Sequence, residues 1–435
     1  MLSVSRQFRR YFANTVWLFS ERTLRMAANL LVMIYVARYL GPDKYGLLSY
    51  SIALVSLFAS ISGMGIDRVL VRELVNNPDK RDDLLGSAFV LKLFGSIAMI
   101  GIVSIVAGAI EDDSFTIIFI LIVAFSYFFQ AFNVIGLNFE SEVLAKHVAR
   151  ISLIQTVFAL ASRLLLIWVE ASLIWFALVL VAETLVQMIA GVIIYEVIIG
   201  HLMRWKANTA TALRMLKDSW PLILSGLSIA IYMKLDQVMI KFMMGTESVG
   251  VYSVAVKLAE GWNILPVVIC TSLFPTLVNA SKRNKEQLNN RLQDLYDLMI
   301  WIVLPIAIIV SGFSDELVEL LFGNNFIDAA PVLTIYIWSS FAVYLGVASS
   351  QYLAVENLLR YSMYRTLLGA VTNLLLNLIL IPAFGLVGAA IATLISYVCA
   401  VFMLQLFRKP RYQVTLMIRS LLLISSYEKL AKHFR

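Results

Sequence analysis

NTVWLFSERTLRMAANLLVMIYVARYL, residues Asn14 to Leu40, is long enough at about 1.5 Å per residue to cross a bilayer, and it carries Glu21, Arg22 and Arg25 near its middle. Charge is costly there. Each arginine at a helix centre costs on the order of 3 kcal/mol on insertion scales, so the pair is expected to face water or a charged ligand inside a helix bundle rather than lipid. Arg22, Arg25 and Asn29 fall three and seven residues apart, on one side of a helix, while the other side reads Leu, Met, Ala, Val and Ile. The first span therefore reads as one wall of a cationic cavity at mid-membrane.

Composition agrees with a bundle of such spans. Of 435 residues, 60% are hydrophobic and only 14% charged, far outside the range of soluble domains. The formal charge of +7 excludes little alone, because in a membrane protein the position of each charge matters more than the total. Cys270 and Cys399 fall in apolar runs and read as buried thiols. RQFRR at 6–10 gives a basic start, but the apolar run after it is too long and too charged for a secretory signal core, so the first span is expected to be retained.

Apolar runs of about 20 residues number twelve between positions 13 and 407, which predicts an all-α polytopic membrane protein. The expected organisation is a six-helix lobe over 1–200, a cytoplasmic linker over 201–218, a second six-helix lobe over 219–407 and a basic amphipathic tail over 408–435. With the N-terminus cytoplasmic, the inner connections hold Arg68, Arg72, Lys80, Arg81, Arg204, Lys206, Lys282, Arg283, Lys285 and Arg291, whereas the outer ones hold EDDS at 111–114 and the acidic 313–330 segment. The positive-inside rule is then met loop by loop, with both ends cytoplasmic. The connections are too short for a soluble domain, so function is expected inside the membrane.

Sliding the chain by 204 residues sets ARYLGPDKYGLLSY at 37–50 against KFMMGTESVGVYSV at 241–254, matching Gly41 with Gly245, Gly46 with Gly250 and Ser49 with Ser253. Six spans per repeat gives both halves the same sense, hence a pseudo-two-fold axis along the membrane normal and a cleft suited to alternating access. Span seven carries Lys234, Asp236, Gln237 and Lys241, and span eight carries Lys257 and Glu260. With Lys92, Arg163 and Glu183 the membrane-depth set is seven cations and four anions, Glu21 included. A net basic cavity concentrates an anionic head group, and the guanidinium fork of arginine matches phosphate oxygens bidentately. Arg22, Arg25, Arg163, Lys234 and Lys257 are therefore the candidate substrate-binding residues, and Glu183, Asp236 and Glu260 the candidate ion-coupling residues. The competing reading pairs Glu21 with Arg25 and Lys257 with Glu260 as structural bridges, and lets Lys92 and Lys241 snorkel to the interface. His147, His201 and His433 lack metal-ligand spacing, and no nucleotide-binding fingerprint is present, so no metal, cofactor, catalytic residue or nucleic-acid partner is expected.

ARYLGPDKYGLLSYS at 37–51, VGVYSVAVKL and LPVVICTSLFPTL within 249–277, ELLFGNNFIDAAPVL at 319–333 and TNLLLNLILIPAFGLVGAAIATLISY at 372–397 resemble the patterns of the polysaccharide, or O-antigen, flippases of the multidrug/oligosaccharidyl-lipid/polysaccharide exporter superfamily. The resemblance covers nearly the whole chain. It implies a bacterial inner-membrane transporter moving an undecaprenyl-pyrophosphate-linked oligosaccharide from the cytoplasmic to the periplasmic leaflet. A cationic lumen, coupling to a proton or other ion gradient, contact with membrane lipids, and a polysaccharide polymerase and chain-length regulator as partners follow from the same resemblance. The alternatives are a drug or cation exporter of this architecture, which calls for an acid-rich cavity, a membrane O-antigen polymerase or ligase, which calls for a large catalytic outer loop, and a scaffold, which needs no mid-membrane charge.

Overall fold

The computed structural model describes the backbone of residues 2–425, 427 and 428, and the side chains of 25, 26, 28–358, 360–425, 427 and 428. Among the described residues there is no strand. The chain runs as α1 (Leu2–Leu57), α2 (Ala59–Gly63), α3 (Asp67–Asn76), α4 (Arg81–Ile110), α5 (Ser114–Phe129), α6 (Val134–Ser141), α7 (Ala145–Trp168) and α8 (Leu173–Ile198). It continues as α9 (Thr209–Met244), α10 (Thr246–Glu260), α11 (Ile264–Arg283), α12 (Lys285–Gly312), α13 (Ser314–Phe322), α14 (Ala329–Tyr336), α15 (Ser339–Val355), α16 (Leu359–Phe402) and α17 (Arg411–Leu421).

Nine helical segments among the described residues are long and apolar enough to cross a membrane, and a bent pair, Ala28–Leu57 with Ala59–Asn76, makes a tenth, turned by 47°. Two elements are too long for one crossing. The 44 residues of α16 would span roughly 66 Å, about twice the hydrocarbon thickness. It is broken at Gly385 (φ 59°, ψ −138°), just as α1 is broken at Gly41 (φ 73°, ψ 173°).

The chain packs as two compact units, Met1–Leu40 with Leu47–Lys234, and Gly41–Gly46 with Leu235–Arg435. The first unit therefore runs on through residue 234 of α9, and the turn at 41–46 belongs to the second. In the first unit α8 packs against α5 and α7, and α4 against α2 and α5. It holds an apolar cluster that includes Ile66, Leu70, Leu85, Val134, Phe139 and Tyr195. The segment before α9 folds onto this cluster: Trp205 donates to the Tyr195 hydroxyl at 3.0 Å and stands edge-on to its ring.

The second unit holds the repeat relation in its backbone. Gly245 (φ 91°, ψ 175°) adopts the conformation of Gly41, a region of φ/ψ space essentially closed to residues with a Cβ. A methyl on Gly46 would overlap the Thr246 carbonyl, and a methyl on Gly250 would overlap that of Pro42. Since 46 matches 250 and 42 matches 246 under the same 204-residue shift, the contact is reciprocal. Asp43 accepts from the Thr246 hydroxyl beside it.

The tail is docked as well as amphipathic. Residues Val414, Leu416 and Met417 of α17 are buried, and α17 packs along α12. Polar groups lock the register: Tyr296 donates to Gln413 at 2.9 Å, and Ser420 and Ser425 donate to the Asp297 carboxylate at 2.6 and 2.8 Å.

Candidate functional site

The first unit contributes Arg25, half-buried on α1. The side chains of Glu21 and Arg22 lie outside the described residues. Arg163 on α7 reaches across to α8 and donates to the Glu183 carboxylate at 2.8 Å, with 21% and 16% of the two side chains exposed. One turn further along α8, Gln187 joins Gln130, Asn133 and Ser152 around a cavity of about 40 Å³, which suffices for water with several polar partners. Lys92 does not snorkel. It is 3% exposed and bonds, at 2.6 Å, Asp67, the first residue of α3, two positions after the left-handed Met64–Gly65 break.

In the second unit Asp236 is 4% exposed on α9. The Tyr252 hydroxyl, on α10, donates to its Oδ2 at 2.6 Å, and the Gln237 N–H donates to its Oδ1 at 2.8 Å. The network extends into α16. Thr393 Oγ1 lies 3.4 Å from the Tyr252 hydroxyl and accepts from Asn373 at 3.3 Å, and Asn377 donates to Asn373 at 2.9 Å. Asn377 Oδ1 and Ser253 Oγ are buried without a hydrogen-bond partner among the described residues. A carboxylate, a hydroxyl and amide oxygens form a hard-oxygen set suited to an alkali cation or a proton-carrying water, and unsuited to zinc or copper. No group of three His, Cys, Asp or Glu that could hold a metal ion occurs among the described residues.

The other candidates are more open. Lys234, half-buried, has no ion pair among the described residues, Lys257 is exposed, and Glu260 is half-buried. Lys241 lies 5.1 Å over the Phe242 ring. Sequence reasoning marked Asp236 and passed over Tyr252 and Thr393, since a lone Tyr or Thr in an apolar span reads as ordinary packing. The signal that points to them is the Asn373–Asn377 pair, two amides one turn apart in the otherwise apolar run NLLLNLILI.

The profile of the polysaccharide biosynthesis protein family matches residues 35–331, more than half of the chain. The chain belongs to that family. Among its relatives, a probable low-salt glycan biosynthesis flippase of Haloferax volcanii is 23% identical over 401 residues, covering 88% of this chain and 80% of the relative. A putative O-antigen transporter of Shigella flexneri is 23% identical over 410 residues, covering 85% and 91%. Among solved structures, an inward-facing multidrug resistance MATE family transporter of the MOP superfamily superposes with a TM-score of 0.75 at 15% identity, covering 91% of this chain and 96% of that one. The lipid II flippase MurJ in an inward closed conformation gives 0.72 at 16%, covering 94% and 92%. These two likenesses establish the fold alone.

Proposed function

We propose that this protein is a flippase that carries a lipid-linked oligosaccharide, with undecaprenyl pyrophosphate as the carrier, across the inner membrane by alternating access, without catalysing a covalent step. Twelve spans, counted by dividing α1 at Gly41 and α16 at Gly385, and two cytoplasmic ends complete the topology. The single observation that carries the reading is Lys234. It is a half-buried cation inside a membrane-spanning helix, with no ion pair among the described residues, in a chain of the polysaccharide biosynthesis family. Charge of that kind is costly without a negative ligand to meet it. Arg22, Arg25 and Lys257 supply the remaining positive charge for the pyrophosphate, and Arg163 holds Glu183. Coupling then falls to Asp236 and its oxygen network, with Glu183, one helical turn before the cavity-lining Gln187, as the second titratable site and Glu260 as a third.

The exporter alternative lacks its acid excess, since Glu183 is matched by Arg163 and Asp236 is held by Tyr252. The decisive experiment replaces Arg25 and Lys234 by alanine singly. Each variant is expected to lower surface polysaccharide tenfold or more at normal protein abundance, with lipid-linked glycan accumulating in the inner leaflet. Undiminished polysaccharide in both variants would reject the assignment.

A further inference from the structure

The hairpin of α11 and α12 carries a pattern that neither the cationic residues nor the coupling network uses. Gln287, Asn290, Arg291 and Asp294 recur at i, i+3, i+4 and i+7 on the first turns of α12, and Asn279 and Arg283 share one face of the last turns of α11. All six are exposed, and the apolar side of α12 lies at Leu288, Leu292 and Leu295. Here all six side chains are polar, and they line one hollow of about 500 Å³ in which small Ala280 leaves room. Those leucines are buried on a neighbouring face, about a third of a turn round the helix, so the polar stripe faces the hollow. The positive-inside rule accounts for Arg283 and Arg291, but not for three primary amides, a carboxylate and a concavity of ligand-pocket size.

Primary amides and carboxylates offer adjacent donors and acceptors that match pairs of neighbouring sugar hydroxyls, and guanidinium groups pair with phosphate oxygens. We propose that this hollow is a separate saccharide-binding site, which grips the sugar end of the lipid-linked glycan on the face where positive charge gathers, before transport. The inference rests on the flippase reading. It assigns to Asn279, Gln287 and Asn290 a selectivity for glycosylated over bare lipid pyrophosphate that Arg25 and Lys234 do not supply.

The test uses the full chain in phosphatidylcholine nanodiscs, titrated with bare undecaprenyl pyrophosphate and with lipid-linked oligosaccharide extracted from its host. The unaltered protein is expected to bind the glycosylated lipid about tenfold more tightly. The triple variant Asn279→Ala, Gln287→Ala, Asn290→Ala should bring that ratio below twofold with binding of the bare lipid unchanged. Asn290→Trp, which fills the hollow from an exposed position, should do the same and serves as an independent variant if the triple one melts early. A tenfold ratio that survives both variants overturns the site while leaving the flippase reading intact, as does equal binding of the two lipids by the unaltered protein. Loss of the ratio on replacing phosphatidylcholine with phosphatidylglycerol overturns it in favour of a general anionic-lipid site. Binding of neither pyrophosphate lipid overturns both readings together.

Discussion

Arg163 and Glu183 show what one ion pair decides. Their contact is short and mostly buried, and removing one partner of a buried pair strands a charge at a cost of about 3–5 kcal/mol. Part of each side chain is exposed, which lowers the expectation to about 2 kcal/mol. Glu183→Ala should therefore lower the melting temperature of the purified protein, while the double variant Arg163→Met, Glu183→Leu should recover most of the loss. Transport separates a structural bridge from a coupling group. A bridge alone predicts that the double variant also recovers activity and its pH profile, whereas a coupling role for Glu183 predicts a stable protein with a changed profile. The sequence places both residues at membrane depth, but not beside each other. Arg163 has no acid within a turn of its own helix, and its partner lies on the next one, so the pairing follows from packing of α7 on α8 rather than from any local spacing. Lys92 illustrates the same limit. Its partner Asp67 stands 25 positions earlier, at a helix start that only the break at Met64–Gly65 defines.

At the scale of elements the repeat was the most legible feature, because small residues at fixed separation survive where side-chain chemistry drifts. Gly41 and Gly245 share an unusual backbone conformation, and Gly46 and Gly250 each touch a carbonyl of the opposite turn. Gly46→Ala and Gly250→Ala should each cost about 1–3 kcal/mol through overpacking, read as lost abundance and a lower melting temperature. Gly101→Ala on α4, where an added methyl meets nothing within 4 Å, is the matched control and should be neutral or slightly stabilising. Equal behaviour of the three variants would show that the close approach in the turn has no energetic weight. The tail was less legible. Its length and charge read as an interfacial helix, whereas Gln413, Ser420 and Ser425 dock it onto the α12 residues Tyr296 and Asp297. The hydroxyls that make this dock are unremarkable in sequence, and only the buried acid they satisfy gives them weight.

Taken as a whole molecule, the transporter reading requires that lipid and cation communicate, and thermodynamics fixes the form of that communication. A ligand shifts a conformational equilibrium only by its differential affinity for the two states, and the coupling between two ligands is reciprocal. If a cation at the Asp236 network, which α9, α10 and α16 build together, biases the state that binds pyrophosphate lipid, then lipid must change cation affinity by the same factor. Couplings of this kind fall at roughly 1–3 kcal/mol, about 5- to 150-fold. Tryptophan fluorescence titrations of the purified protein with sodium, and separately with acid, in the presence and absence of undecaprenyl pyrophosphate should return matching factors in both directions for one of the two ions. Asp236→Asn should bring that factor to one while leaving lipid affinity at saturating cation within threefold of the unaltered protein, because the variant removes the cation's charge partner and spares Arg25 and Lys234. Arg25→Ala should weaken lipid binding yet leave intrinsic cation affinity in place. A variant at Asp236 that abolished lipid binding outright, with the fold retained, would place the carboxylate in the lipid site itself and remove the division of labour between the basic residues and the oxygen network.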